Sequence, residues 1–227
     1  MTQRADADAD SLAAAVAAFE RGEPVLVHDF ADREGETDVV YPAGTVESDD
    51  VARLRNDAGG LLCVAVSDGV AEAFDLPFLS EALDHPAADG GDLHYDDRSS
   101  FSLPVNHRET FTGVTDDDRA LTVTELASAA DAAAAGEYGA DDFAAAFRTP
   151  GHVNLLRGAP GGLADRQGHT ELGLALAGAA DRPPAVVVCE MLDDETGAAL
   201  APRAARRYAD RHGLAFVEGE RVVAELR

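Results

Sequence analysis

LLCVAV, the run at residues 61–66, is an unbroken apolar stretch of strand length, which is the pattern of a strand at the centre of a sheet. The run AVVVCEML at residues 185–192 is a second strongly apolar strand. A strand of this kind is covered on both faces, so the two runs predict a sheet with helices packed against it.

The segments on either side of these runs alternate between strand and helix patterns, with Ser or Thr caps before helices and Gly or Pro after them. Further strands are predicted at residues 24–29, 38–41, 101–106, 152–156 and 214–217. Helices are predicted at residues 11–22, 48–58, 67–74, 115–135 (in one or two pieces), 141–147, 169–180, 202–212 and at the C-terminus. Pro104 cannot donate to a strand ladder, so the strand at 101–106 is expected at a sheet edge or a bulge.

The irregular order of these elements argues against a simple doubly wound fold. We therefore predict the class α/β, with α+β character: a single layered domain with a mixed β-sheet flanked by helices. Residues 1–10 are expected to be a disordered tail and residues 11–227 to form the domain. The polar stretch at 84–100 is predicted to be a long loop, of the kind that is often functional.

The charge of the chain is strongly negative. Its 227 residues include 18 basic residues, all of them Arg, against 43 acidic ones, for a formal net charge of −25. Such a surface repels phosphate backbones and anionic lipids, so partners of these two classes are not expected. Because 46% of the residues are hydrophobic, the acidity indicates a folded protein coated in carboxylates. A coat of this kind is relieved by screening ions, which suggests the salt-rich cytoplasm of a halophile.

Cysteine usage and apolar runs indicate the compartment. Cys63 and Cys189 both lie in apolar strands and are expected to be buried, reduced thiols. The sequence has no CxxC pair that would suggest a zinc site. Neither a membrane-spanning run nor a signal peptide is apparent, so a cytoplasmic protein is expected.

Three constellations could carry chemistry. The first is DREGETD at residues 32–38, between two predicted strands, where four carboxylates and an Arg suit a hard cation, a polyol or a phosphate. The alternative is a solvated acidic turn. The second is RQGHTE at residues 166–171, where a Gly-rich loop opens into a helix whose N-terminal N–H groups favour a phosphate. The alternative there is an ordinary capped helix.

The third constellation combines His152, at the start of a strand, with Glu190, near the end of an apolar one. A carboxylate after four apolar residues is costly unless it is paired or lies at the strand mouth. A His and a Glu at a cleft make a general acid–base pair. A strand-end salt bridge is the alternative explanation for Glu190.

Together these segments resemble the 3,4-dihydroxy-2-butanone 4-phosphate synthase family. The matching motifs occur in family order from about residue 11 to the end: DREGETD (32–38), GGLLCV (59–64), LP (76–77), TGVTxxDR (112–119), PGHV (150–153), GHTE (168–171) and CE (189–190). Each motif alone is weak, and seven in register are strong.

The resemblance implies a lyase of riboflavin biosynthesis that converts D-ribulose 5-phosphate to 3,4-dihydroxy-2-butanone 4-phosphate and formate. The implied steps are formation of a metal-stabilised enediolate, dehydration, skeletal rearrangement and C–C cleavage. The resemblance also implies Mg²⁺, with Mn²⁺ as a substitute, and a homodimer with sites near the subunit interface.

Site roles are likewise implied only by matching position. Glu34 and His169 match the metal ligands, and His152 and Glu190 match positions needed for activity, to which we assign proton transfer. The substrate-binding positions that match are Arg33, Glu34, Asp38, Thr112, Arg166, Gln167, Gly168, His169, Thr170 and Glu190. Two other interpretations stay open: another metal-dependent phosphosugar isomerase or aldolase on the same scaffold, and a non-catalytic acidic binding module.

Overall fold

Seven strands form one mixed sheet in the computed structural model, which describes residues 11–30, 35–88 and 99–227. The strands are β1 Val25–His28, β2 Thr37–Pro42, β3 Cys63–Val66, β4 Phe101–His107, β5 Phe147–Arg157, β6 Ala185–Glu190 and β7 Ala215–Glu218. Their order across the sheet is β4-β5-β3-β6-β2-β1-β7. The β3–β5 and β1–β7 pairs are parallel and the other pairs are antiparallel, so the mixed sheet that the sequence predicted is confirmed.

Helices cover both faces of the sheet. They are α1 Leu12–Glu20, α2 Ser48–Arg53, α3 Asp68–Ala73, α4 Leu79–Ala82, α5 Asp116–Ala134, α6 Ala140–Ala146, α7 His169–Ala179, α8 Pro202–His212 and α9 Gly219–Leu226. Helices α1, α7 and α9 pack on one face of the sheet, and α2, α3, α5, α6 and α8 pack on the other. None of the helices in the described ranges is long and apolar enough to cross a membrane.

The two apolar runs lie where their patterns predict, with β6 in the middle of the sheet and β3 beside it. Every residue of β3 is buried, as are the five apolar residues of β6. Neighbouring side chains of a strand point to opposite faces, so alternate residues of these strands enter the two separate cores. Cys63 lies in the core beneath α7 and Cys189 in the core beneath α5, and both are buried free thiols, as predicted.

The β4–β5 edge differs most from the prediction. Strand β4 is the edge strand and its pairing with β5 shifts register twice, on either side of Pro104 and Val105, which confirms the expectation from Pro104. The predicted start of β5 at residue 152 was wrong, because the strand begins at Phe147 and includes Pro150 and Gly151. Gly151 makes this possible: a Cβ there would lie 1.9 Å from the backbone carbon of Val105.

Smaller differences concern the helices. The segment predicted as one helix at 48–58 is α-helical only to Arg53 and continues as a π-helical turn, Leu54–Ala58. Helix α5 is a single piece, capped by the Thr115 side chain as predicted. Helix α4 was not predicted. The predicted tail at 1–10 and most of the predicted loop at 84–100 lie outside the described residues.

Candidate active site

Two acidic residues that are far apart in sequence lie side by side at one end of the sheet. Asp38 of β2 pairs in register with Glu190 of β6, so their side chains point to the same face. The Asp38 side chain is buried and that of Glu190 is half-buried. One Glu190 carboxylate oxygen accepts the Leu61 N–H at 2.9 Å. Gly60 allows this close approach, because a Cβ there would lie 2.4 Å from the same oxygen.

Helix α7 begins at the same end of the sheet and brings His169 to this pair. Its N-cap is Gly168, and the His169 Nδ1 lies 3.9 Å from an Asp38 carboxylate oxygen. A cavity of about 320 Å³ opens here, and its lining includes His169, Glu190, Glu36 and Cys63. Burial, and then the charges of Glu190 and Asp38, raise the pKa of the Cys63 thiol far above its ordinary value, so the thiol is neutral.

A buried carboxylate organises the Gly-rich loop in front of α7. Glu171, in the first turn of the helix, accepts the N–H of Ala159 at 3.0 Å and that of Gly168 at 3.3 Å. The same carboxylate forms an ion pair with Arg166 at 3.1 Å, and its side chain is only 1% exposed. Glu171 therefore ties both ends of the loop and the Arg166 guanidinium to the positive end of the helix dipole.

The remaining predicted residues of this loop differ in exposure. Gln167 is half-buried, whereas Thr170 is fully buried and its hydroxyl has no hydrogen-bond partner within the described residues. The four predicted binding residues at 166, 167, 168 and 170 thus surround the start of the helix that carries His169.

His152 belongs to a second group, on the irregular β4–β5 edge. Its side chain is exposed, and its ring Nδ1 contacts the side-chain amide of Asn106 on β4, 3.2 Å from Nδ2. The neighbouring loop carries Thr112, whose hydroxyl and N–H both donate to the Asp118 carboxylate, at 3.1 and 3.0 Å. Gly113 connects this loop to Asn106, because it packs on the Asn106 side chain while its N–H donates to the Asp118 carboxylate at 2.7 Å.

Asp118 holds this loop in a fixed shape. Its carboxylate accepts the N–H groups of Phe111, Thr112 and Gly113 as well as the Thr112 hydroxyl. These hydrogen bonds, that of Gly113 first, lower the pKa of Asp118 to about 2. The loop also exposes two apolar side chains, Phe111 at 93% and Val114 at 52%.

The structure therefore brings Asp38, His169 and Glu190 together beside residues 166–170, and joins Thr112 to the surroundings of His152. No hydrogen bond or ion pair between the two groups occurs within residues 11–30, 35–88 and 99–227, and His152 and Glu190 have different partners. Arg33 and Glu34 lie outside the described residues, and so does the predicted contact of Glu34 with His169.

Sequence reasoning assigned no role to two residues that organise the site. Glu171 follows the N-cap by three positions, which is the spacing of a capping carboxylate and was available as a signal. Asn106 gave no such signal, because its contact with His152 joins positions 46 residues apart across an irregular strand pair.

The fold and the cavity together have the build of a small-molecule enzyme: a three-layer α/β/α domain with a His and two carboxylates at one sheet end, beside a helix N-terminus with an Arg. The family model for 3,4-dihydroxy-2-butanone 4-phosphate synthase matches residues 13–225, and the chain belongs to this family.

Named relatives agree with this assignment. A 3,4-dihydroxy-2-butanone 4-phosphate synthase from Archaeoglobus fulgidus is 48% identical, over 92% of this chain and 91% of the relative. One from Methanothermobacter thermautotrophicus is 41% identical, over 92% and 93%. A solved structure of such a synthase in complex with two magnesium ions is similar with a TM-score of 0.79 and 29% identity, over 95% of each chain.

Proposed function

We propose that this chain converts D-ribulose 5-phosphate to 3,4-dihydroxy-2-butanone 4-phosphate and formate, as a lyase of riboflavin biosynthesis. The observation that carries the proposal is a cavity lined by His169 and Glu190, with Asp38 buried beside both residues, next to the loop that holds Arg166. Removing protons from a sugar and cleaving a carbon–carbon bond need acid–base groups and a means of holding negative charge, and this cavity has both.

The cavity suits a divalent cation. Glu36, His169 and Glu190 line it, and Asp38 is buried within 4 Å of the His169 imidazole, so the cavity wall carries oxygen and nitrogen donors. The proposed ligands are Glu34 and His169, for Mg²⁺ or Mn²⁺. No set of three His, Cys, Asp or Glu suited to a metal occurs among the described residues, to which Glu34 does not belong. When bound, the cation supplies Lewis-acid stabilisation of negative charge on sugar oxygens.

The start of α7 is the proposed phosphate site. The positive end of the helix dipole favours an anion, and Arg166 adds a guanidinium that Glu171 holds in position. Arg33, Gln167, Gly168 and Thr170 are proposed to complete the site. These nearby groups oppose the field of a chain with net charge −25.

The sugar is proposed to lie between this phosphate site and the strand-end carboxylates, with Asp38, Glu190 and Thr112 contacting its hydroxyl groups. Leu61 orients Glu190 by donating to one carboxylate oxygen, which leaves the other for a proton of the substrate. His152 is the second proposed proton carrier, through the ring Nε2, since Nδ1 faces Asn106.

We further propose a homodimer. The loop around Thr112 exposes Phe111 and Val114 although it is held rigid by Asp118, which is the construction of a contact surface. Light scattering on the purified protein is expected to give twice the mass of one chain, and Phe111→Asp is expected to shift this mass toward that of a monomer.

The decisive experiment measures formate released from ribulose 5-phosphate, with and without EDTA, in buffers that contain molar KCl. We expect stoichiometric formate that EDTA abolishes and added Mg²⁺ restores. An isomerase or aldolase on the same scaffold would consume the sugar without releasing formate, and a binding module would leave it unchanged. Either result contradicts the proposal.

A further inference from the structure

Asn106 holds His152 by two of its atoms at once. The residue is 4% exposed, and its side-chain Oδ1 accepts the His152 backbone N–H at 2.8 Å. Only the oxygen of an amide can accept that proton, so the orientation of the amide is fixed. The amide nitrogen Nδ2 then lies 3.2 Å from the ring Nδ1 of His152, and Oδ1 lies 3.3 Å from the same ring atom.

This arrangement suits both charge states of the imidazole. Because Oδ1 already accepts the His152 backbone N–H, and Nδ2 is the amide atom nearer to Nδ1, the contact favours a neutral ring in which Nδ1 accepts from Nδ2 and the proton is on Nε2. In the protonated ring, Nδ1–H instead donates to Oδ1. The ring therefore keeps its position when Nε2 gains or loses a proton, and Nε2 is the atom left available to a substrate.

Gly113 prevents the amide from moving away. Its φ of +84° is in the left-handed region, and a Cβ there would lie 2.0 Å from Nδ2 of Asn106. The Asp118 carboxylate fixes Gly113 in turn by accepting its N–H. The amide is thus enclosed between the His152 strand and a loop that is itself anchored.

We propose that Asn106 is a positioning residue for the reaction: it sets the tautomer and the place of the His152 ring, and Gly113 keeps Asn106 in register. The inference rests on the proposed function only in assigning proton transfer to His152. The tautomer itself is a property of the protein without substrate and can be measured separately.

The first experiment records the side-chain nitrogen resonances of His152 by NMR, well above neutral pH, in the full-length protein. The native ring is expected to carry its proton on Nε2. In Asn106→Asp the carboxylate cannot donate, so the proton is expected to move to Nδ1. A native ring protonated on Nδ1, or an unchanged tautomer in Asn106→Asp, would overturn the proposal.

The second experiment measures formate release, with native turnover established first. Asn106→Ala is expected to lower kcat roughly 10- to 100-fold with little change in KM, since a misplaced proton carrier affects the chemical step more than binding. Gly113→Ala leaves the amide intact but displaces it, and should give a smaller loss of the same kind. Asn56→Ala, a change at an exposed Asn on the π-helical turn, is the matched control and should retain native kcat.

The two experiments separate two kinds of failure. Native protein that releases no formate contradicts the proposed function, whereas the NMR result still decides how Asn106 holds the ring. Active native protein whose Asn106→Ala variant is folded and has an unchanged kcat contradicts the positioning role.

Discussion

The two groups of functional residues are built by different means. Asp38 and Glu190 lie on the central strands β2 and β6, and strand register alone brings them together at the start of α7. His152 and Thr112 lie at the irregular sheet edge, where a bulged strand pair, an amide and an anchored loop hold them. Buried regular structure thus positions the cavity residues, whereas specific polar contacts position the residues at the sheet edge.

The largest effect is expected from the cavity. His169→Ala should lower kcat on the order of a thousandfold, because it removes both a proposed ligand and the imidazole beside Asp38. Formate release, with a thermal melt to verify folding, measures this. His212→Ala, on the opposite helix layer, is the control and should retain native activity. Undiminished turnover in His169→Ala would contradict the assignment of His169 and its cavity to the reaction.

Glu171 tests how far the cavity depends on a buried ion pair. Glu171→Gln should lower the free energy of unfolding by about 2 kcal/mol, since the Arg166 guanidinium, 15% exposed, loses its buried partner. The exposed pair Arg221–Glu225 offers a matched control, and Glu225→Gln should cost less than about 0.5 kcal/mol. Urea unfolding in high salt compares the two. Equal effects would mean that Glu171 does not organise the loop.

Salt should weaken the interactions among surface carboxylates much more than the contacts within the two groups of functional residues. The Debye length falls from about 10 Å at 0.1 M to about 3 Å at 1 M salt, so repulsion among the surface carboxylates fades while contacts within hydrogen-bond distance persist. The melting temperature is expected to rise with KCl, and the KM for the phosphosugar to fall or stay constant. A protein that is most stable in dilute buffer would contradict the halophile hypothesis.

Asp118 gives the smallest effect, and one that depends on pH. A carboxyl group whose pKa is lowered on folding stabilises the native state above its unfolded pKa, and this contribution is lost as the pH falls through the folded value of about 2. The difference in unfolding free energy between native protein and Asp118→Asn should therefore be constant near neutral pH and shrink below about pH 4. Asp117→Asn, in the same helical turn, is the control. A difference that grows on acidification would contradict the loop anchor.

Periodicity predicted the regular half of the molecule and missed most of the irregular half. LLCVAV and AVVVCE can be recognised as central strands because both faces are apolar. The contact between Asp38 and Glu190 depends on β2 lying next to β6, which no local pattern encodes. The start of β5 depends on Gly151, which leaves space for the backbone of β4. The Asn106–His152 contact depends on Gly113, which leaves space for the Asn106 amide. The family resemblance, rather than periodicity, pointed to residues in both groups.

The two thiols lie on opposite faces of the sheet, so each one can report on the helix layer that covers it. Cys63 lies under the layer that contains α7, and Cys189 under the layer that contains α5, with no third cysteine in the chain. Because they face away from each other, oxidation cannot cross-link them within the native molecule. Pulsed alkylation followed by peptide mass spectrometry would therefore time the opening of each layer independently, on the unaltered enzyme.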